Sequence, residues 1–367
     1  MPELRPGIAK YGGFMTGTGG KGLFTANSFS NSGRLSPRLV QMLVNSANNG
    51  IAKGTWEGYV GVKKHLGECA KLTRVGMTFP MKKDQVLTFI SYLFCKGLKA
   101  TTVSQYLSAI RMMHMVQGHV VPELRPAIVK LVLKGKENWD EVQARGLPTR
   151  MPFTIKLMKL LRVVLLLDKA RSEKQKAVIF ATACLCFWGA FRVGEILSKK
   201  SRVVDNTSEL LKNDIYFTSK RIKGKMVQIL NVKLKSPKES RASTRGVIVE
   251  VFANDTELCP VKAYREYLVA CGNISRSNAA MRDEDGWAYT HARLNADLKQ
   301  LMGKYVHYGK LSGHSFRSGM ASLLAQLGYS DDVIQATGRW NSEAFLRYIK
   351  LPRVTRINIA GCLASVM

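Results

Sequence analysis

The feature that most limits the possible folds is a change in hydrophobic pattern partway along the chain. Between residues 36 and 140 apolar residues recur every three or four positions, which is typical of amphipathic helices. Helix-start signals stand at Ser36-Pro37, Thr55, Asp84, Thr102 and Pro126. After residue 152 two helical stretches precede three strand-like runs, and helices then resume. We therefore predict an all-α N-terminal domain followed by an α+β domain with a small antiparallel sheet.

The domain boundaries follow from the same change in pattern. The strand-like runs cover 214–217, 226–234 and 247–252, and 367 residues are enough for two separate cores. We predict a flexible arm at 1–35, rich in Gly, Ser, Asn and Thr, and a polar linker at 141–152 that contains Gly and Pro. The helical domain then spans 36–140, the mixed domain spans 153–352, and a tail spans 353–367.

The charge of the chain indicates its partner. The formal net charge is +30, an excess that repels itself unless an anionic partner neutralises it. A long polyanion such as nucleic acid is the usual partner, and the alternatives are a merely very soluble protein or an anionic membrane surface. Because the basic residues are scattered through both halves, we expect the protein to wrap its partner rather than trail a basic arm.

Cysteine usage and hydropathy indicate the compartment. The seven cysteines show neither the spacing of a disulfide framework nor that of metal ligands, which favours a reducing environment. No apolar run approaches the roughly 20 residues that span a bilayer, and the N-terminus has no hydrophobic signal core. We expect an intracellular protein, nuclear if the source is eukaryotic.

Two short motifs bring arginine together with a second polar residue. In Gly-Ala-Phe-Arg-Val-Gly-Glu-Ile-Leu, Glu195 follows Arg192 by three positions and can hold its guanidinium on one helical face. In Gly-His-Ser-Phe-Arg, His314 and Arg317 are likewise three apart, so both can donate hydrogen bonds to one phosphate. Taken alone, each motif is equally compatible with an ordinary salt bridge or a capped helix start.

A third motif lies near the C-terminus. In Gly-Arg-Trp-Asn-Ser-Glu-Ala-Phe-Leu-Arg-Tyr-Ile, the indole of Trp340 precedes Tyr348, which is the last tyrosine of the chain, on a short helix. An aromatic core residue near a terminal helix is the simpler interpretation of this motif by itself. The order and spacing of all three motifs together favour a shared function.

The order Arg with Glu three later, basic β-hairpin, His-x-x-Arg, Trp and C-terminal Tyr resembles the tyrosine recombinases of the phage-integrase type. The resemblance covers about residues 151–351, and the helical first block looks like the core-binding domain of that family. The local sequences Gly-His-Ser-Phe-Arg and Gly-Arg-Trp are most similar to those of recombinases from eukaryotic mobile elements of the Crypton or DIRS kind. The resemblance implies an enzyme that cuts and rejoins double-stranded DNA.

The resemblance also implies a catalytic lysine on the hairpin between two strands. Lys238 fits best because it begins the turn after the strand, although this chain has Pro-Lys-Glu where similar proteins have Ser-Lys-Thr. Lys235 is the runner-up, and a lysine-rich hairpin without a catalytic role is a further alternative. The interval from Trp340 to Tyr348 looks one residue shorter than in many bacterial relatives. One residue of a helix rotates a side chain by about 100°, so the local turn must absorb that rotation if Tyr348 is to face the site.

The chemistry implied by the resemblance assigns each residue a role. Tyr348 attacks the phosphate and forms a 3′-phosphotyrosyl link, whose retained bond energy makes ATP unnecessary. Arg192, Arg317, His314 and Trp340 bind the phosphate, with Glu195 supporting Arg192. Lys238 protonates the leaving 5′ oxygen. We expect no cofactor and no metal.

Two other functions remain open. A type IB topoisomerase-like enzyme shares the chemistry but rejoins the same strand, and a domesticated DNA-binding protein would have a silent active site. Exchange of strands between two duplexes implies four protomers on DNA, with the tail at 353–367 docking either on a neighbour or on its own domain. The DNA target and the choice between integration, excision and inversion are not encoded in any recognisable pattern.

Overall fold

The computed structural model describes residues 36–49, 53–121, 123–144, 151–235, 246–272, 276–306 and 311–348. The predicted arm at 1–35, the tail at 353–367 and residues 145–150 of the predicted linker at 141–152 lie outside these ranges, as does Lys238. Contacts along the chain divide it into two compact units, Met1–Gly146 and Leu147–Met367. No helix in the described ranges is both long enough and apolar enough to cross a membrane.

The regular elements of the first unit, within its described residues, are helices. They are α1 (Pro37–Asn49), α2 (Lys53–Thr73), α3 (Lys83–Cys95), α4 (Ala100–Val116) and α5 (Ala127–Gln143). Proline is the first residue of α1 and the N-cap of α5, positions where a missing N–H costs nothing. The core of this unit is formed by apolar side chains of α2 to α5, among them Phe89 and Ile110, which are fully buried.

His114 is a buried polar residue in that core. Its Nε2 accepts a hydrogen bond from the Met81 N–H at 2.9 Å, and Nδ1 lies 2.8 Å from the Ile110 carbonyl oxygen, so the neutral tautomer with hydrogen on Nδ1 satisfies both contacts. Burial lowers the pKa of His114 below its usual value. The folded protein therefore resists protonation of this ring.

A pH dependence of stability follows from His114. The unfolded chain takes up a proton near pH 6.5 that the folded chain binds only at lower pH, so the free energy of unfolding should fall as pH drops below about 6.5. Above that pH this contribution should be constant. Urea unfolding of the full chain between pH 7.5 and 5.5 measures it. His114→Gln should flatten the dependence and His119→Gln should not; equal slopes for the two variants would contradict the assignment.

The second unit contains the sheet and the remaining helices. The helices are α6 (Ile155–Leu167), α7 (Glu173–Trp188), α8 (Val193–Ile196), α9 (Pro260–Cys271), α10 (His291–Met302), α11 (Gly313–Gln326) and α12 (Asp331–Gly338), with 3₁₀ helices at Lys212–Asp214 and Glu343–Tyr348. Side-chain oxygens of Thr154 and Ser172 cap α6 and α7. Helix α7 is buried from Val178 to Phe187 on all sides, and the core of the unit surrounds it.

The sheet has three antiparallel strands in the order β1 (Ile215–Ile222), β2 (Lys225–Leu234) and β3 (Val247–Phe252). Ile215 pairs with Val232 in β1 and β2, and Leu234 pairs with Val247 in β2 and β3. The predicted small antiparallel sheet is confirmed, although β1 extends five residues beyond the predicted end at 217. Its extension is exposed, and the apolar pattern that marks a strand is therefore weak there.

Candidate active site

Arg192 is held on a sharp turn between α7 and α8. The Arg192 carbonyl accepts from the Glu195 N–H at 2.8 Å. In return, the Glu195 carboxylate accepts from the Arg192 backbone N–H at 2.9 Å and from its Nη1 at 3.0 Å. The carboxylate thus fixes both the backbone and the guanidinium of Arg192, which is the contact that their spacing predicts.

Helix α11 carries His314 and Arg317 at different depths. His314, the second residue of the helix, is exposed, whereas Arg317, one turn further along, is only 1% exposed. The Arg317 Nη2 donates to the Gly338 carbonyl, and its guanidinium carbon lies 4.5 Å from the centroid of the Trp340 ring. A buried guanidinium needs such partners because burial removes it from water.

The start of α11 packs directly against the Arg192 turn. A Cβ placed on Gly313 would lie 2.6 Å from Val193 Cγ2 and 2.9 Å from His291 Nε2, closer than real Cβ atoms approach. Glycine is therefore required at 313 for this approach. Because Val193 follows Arg192 and His314 follows Gly313, the first two motifs meet at this point.

The third motif contacts both of the others. Gly338 ends α12, and a Cβ there would overlap the indole ring of Trp340. Trp340 is 8% exposed and its ring supports Arg317, which is a packing role in addition to the predicted hydrogen-bond donation. The 3₁₀ helix Glu343–Tyr348 follows, and the side chain of Tyr348 lies outside the description.

Arg339 joins the site, although the sequence analysis does not select it. Its Nη2 lies 3.1 Å from Glu195 Oε2 and 3.3 Å from the Ala190 carbonyl oxygen, and its guanidinium carbon is 4.7 Å from the Phe191 ring centroid. No local pattern marks this residue, because its partners lie more than 140 residues away in the sequence.

Lys235, the second candidate for the general acid, is engaged in other contacts. Its Nζ lies 2.8 Å from Asp214 Oδ2 and 3.0 Å from the Asn206 carbonyl oxygen, at the end of β2. These contacts anchor the base of the hairpin that leads to Lys238. The roles of Lys238 and Tyr348 stay predictions.

The site is cationic. The formal charge of the cluster is +2, from Arg192, Arg317, Arg339 and Glu195. This charge would stabilise a bound anion that becomes more negative as it reacts. Cys186 lies near this cluster in α7. Burial, with a smaller contribution from Glu195, raises the pKa of the Cys186 thiol well above its usual range, so it stays protonated.

Comparison with known proteins gives similarity in structure only. No protein-family model matches the sequence, and no curated protein matches it. The XerH site-specific recombinase bound to palindromic difH substrate is similar at a TM-score of 0.55 and 11% identity, over 92% of this chain and 87% of that one. The Tn1549 transposon integrase in complex with transposon right-end DNA gives 0.53 and 13%, over 84% and 93%.

A lambda integrase dimer bound to a COC′ core site is also similar, at a TM-score of 0.50 and 13% identity, over 82% of this chain and 90% of that one. Sequence identities this low establish the fold and nothing finer. The chain has the fold of the tyrosine recombinases and integrases, as the order of its motifs predicts.

Proposed function

We propose that this chain is a site-specific recombinase or integrase that cuts and rejoins double-stranded DNA through a covalent 3′-phosphotyrosyl intermediate at Tyr348. One observation carries the proposal: three motifs that span more than 140 residues of sequence converge on one cationic cluster. Arg192 and Arg317 in that cluster are supported by Glu195 and Trp340 respectively.

The cluster suits the chemistry of phosphodiester cleavage. Attack by an oxygen nucleophile adds negative charge to the non-bridging oxygens of a five-coordinate phosphorus, and the enzyme must neutralise it where it develops. The planar guanidinium groups of Arg192 and Arg317 stay charged at any working pH and place positive charge beside the phosphate. His314 and the indole N–H of Trp340 add directed donors.

Two proton transfers complete the reaction. The Tyr348 phenol must lose its proton to attack, and nearby cations favour the phenolate. The 5′ oxygen of deoxyribose must gain a proton to leave, and Lys238 supplies it. Because the phosphotyrosyl link keeps the energy of the broken bond, a second DNA end can displace Tyr348 without ATP. Neither step requires a metal or a cofactor.

Charge stabilisation at the phosphate can be tested with a matched pair of variants. Arg192 and Arg162 are 25% and 26% exposed, and each is paired with a glutamate, at 3.0 Å and 3.1 Å. Arg192→Ala should lower the rate of covalent capture on a nicked suicide substrate by a factor on the order of 10² or more. Arg162→Ala should leave that rate unchanged; equal losses would mean that the effect is a general loss of structure.

DNA binding by both units should depend steeply on salt. The three similar structures are described as bound to transposon right-end DNA, to a difH substrate and to a core site. The +30 charge supports DNA as the partner here. Each phosphate neutralised should contribute about −0.9 to the slope of log affinity against log salt. A titration of half-site binding from low to high salt measures this slope. A flat response would exclude a polyanionic partner.

Two other functions remain alternatives. A type IB topoisomerase-like enzyme would also form the covalent adduct but would relax supercoils without exchanging strands. A domesticated DNA-binding protein would bind and form no adduct. Every candidate catalytic position carries a residue able to perform its role, which favours an active enzyme.

The assembly belongs to the same proposal. The helical first unit acts as the core-binding domain, and both units bind DNA. Four protomers assemble on two duplexes, with the tail at 353–367 docking on a neighbour. Membership of the Crypton or DIRS branch, and a nuclear location in a eukaryotic host, stay predictions.

A further inference from the structure

We infer that Arg339 is a positioning residue that couples the phosphate-binding Arg192 to the segment that carries the nucleophile. The inference rests on the proposed function, since it assumes that Arg192 binds the phosphate and that Tyr348 attacks it. Its starting point is a single carboxylate shared by two guanidinium groups from distant parts of the chain.

Glu195 is that carboxylate. Oε1 accepts from Arg192 Nη1 at 3.0 Å, while Oε2 accepts from the Arg192 backbone N–H at 2.9 Å and from Arg339 Nη2 at 3.1 Å. The Glu195 side chain is 11% exposed and that of Arg339 is 18% exposed, so water screens this pair less than a surface ion pair. A shift of Arg339 would move the group that orients Arg192.

Arg339 contacts the residues on both sides of Arg192. Besides Glu195, its guanidinium reaches the Ala190 carbonyl at 3.3 Å and stacks on the Phe191 ring. Ala190 and Phe191 precede Arg192, and Glu195 follows it. One planar fork thus supports the whole turn, which a lysine ammonium, as a point charge, would do only in part.

The backbone at Arg339 gives independent support. The Arg339 N–H bonds the Ala336 carbonyl and the Trp340 N–H bonds the Gln335 carbonyl, both at 3.0 Å, which is the Schellman pattern that ends a helix. Arg339 has φ 55° and ψ 48°, the left-handed conformation that this pattern normally assigns to glycine. An arginine adds backbone strain at this position, and the contacts of its guanidinium offset that strain.

The same segment reaches the second arginine of the site. Gly338, before Arg339, accepts from Arg317, and the ring of Trp340, after it, packs on the Arg317 guanidinium. The segment then continues into the 3₁₀ helix that ends at Tyr348. Arg339 therefore fixes the position of the Arg192 turn relative to Arg317 and to the 3₁₀ helix that carries Tyr348.

Arg339→Gly separates positioning from folding, because glycine accepts the left-handed backbone without strain. We expect single-turnover cleavage at saturating protein to fall by a factor on the order of 10². Affinity for a DNA half-site should change less than about threefold, because the variant removes only one of the contacts that orient Arg192 and leaves Arg192 itself in place. The thermal midpoint should stay the same or rise. Arg339→Lys should cleave roughly tenfold faster than Arg339→Gly, because lysine keeps the positive charge opposite Glu195.

Arg74→Gly is the matched control. Arg74 is also an arginine with positive φ, 57°, and it is exposed after the end of α2. Its replacement should leave the single-turnover rate unchanged. In a Glu195→Gln background, Arg339→Gly should add little further loss, because both variants remove the same coupling.

Four outcomes would overturn the inference. These are a wild-type rate for Arg339→Gly, a loss of rate matched by a lower thermal midpoint, no recovery in Arg339→Lys, and full additivity with Glu195→Gln. A wild-type protein that forms no adduct at all would instead remove the proposed function, and the inference with it.

Discussion

Tyr348→Phe should bind a DNA half-site with unchanged affinity and form no covalent adduct. The variant loses one oxygen and keeps the ring, so packing changes little, while the oxygen that we propose as the nucleophile is removed. The position supports this expectation, because Tyr348 ends the 3₁₀ helix that follows Trp340 and no tyrosine comes after it. Electrophoresis of denatured protein with labelled suicide DNA measures the adduct.

Tyr329→Phe is the control for this experiment. Tyr329 is the preceding tyrosine in the chain and is 52% exposed. Its variant should form the adduct at the wild-type rate. Persistence of the adduct in Tyr348→Phe would place the nucleophile elsewhere, and peptide mapping of the DNA-linked fragment would locate it.

The elements of the fold could be predicted where their signals are local. The N-cap of α6 is such a signal: Thr154 precedes the helix, and its hydroxyl oxygen accepts from the Leu157 N–H at 3.3 Å. The third strand has its predicted bounds, because four of its six residues are β-branched. Such signals depend on residues within one or two turns of each other, and a single sequence contains them in full.

The arrangement of the site depends on contacts that no local pattern encodes. Arg339 is 144 residues from Glu195 in sequence, and helix-end preferences favour glycine at its position. The spacing of Arg192 and Glu195 predicts their pairing but not a second arginine on the same carboxylate. Likewise, burial of Trp340 beneath Arg317 depends on how α11 and α12 pack, which spacing along the chain does not specify.

The choice between two lysines shows how structure adds to sequence here. Lys235 and Lys238 lie three residues apart on one basic hairpin, and the sequence favours Lys238 only by its place at the turn. The ion pair between Lys235 and Asp214, 2.8 Å long, adds a physical reason. The Lys235 ammonium is already engaged by the Asp214 carboxylate and the Asn206 carbonyl, which suits an anchor of the hairpin better than a proton donor.

Lys238→Ala should therefore slow cleavage by a factor of about 10² to 10⁴, the range typical of a lost general acid. The defect should be specific to the leaving group. A substrate with sulfur in place of the bridging 5′ oxygen releases a thiolate, which is a good leaving group without a proton. This substrate should therefore largely restore the rate of Lys238→Ala, and Tyr348→Phe should stay inactive on it. Lys235→Ala is the control on the same hairpin, and its loss of rate should be smaller and indifferent to sulfur, since it weakens the anchor and not the proton transfer. Rescue of Lys235→Ala by sulfur, without rescue of Lys238→Ala, would assign the acid to Lys235.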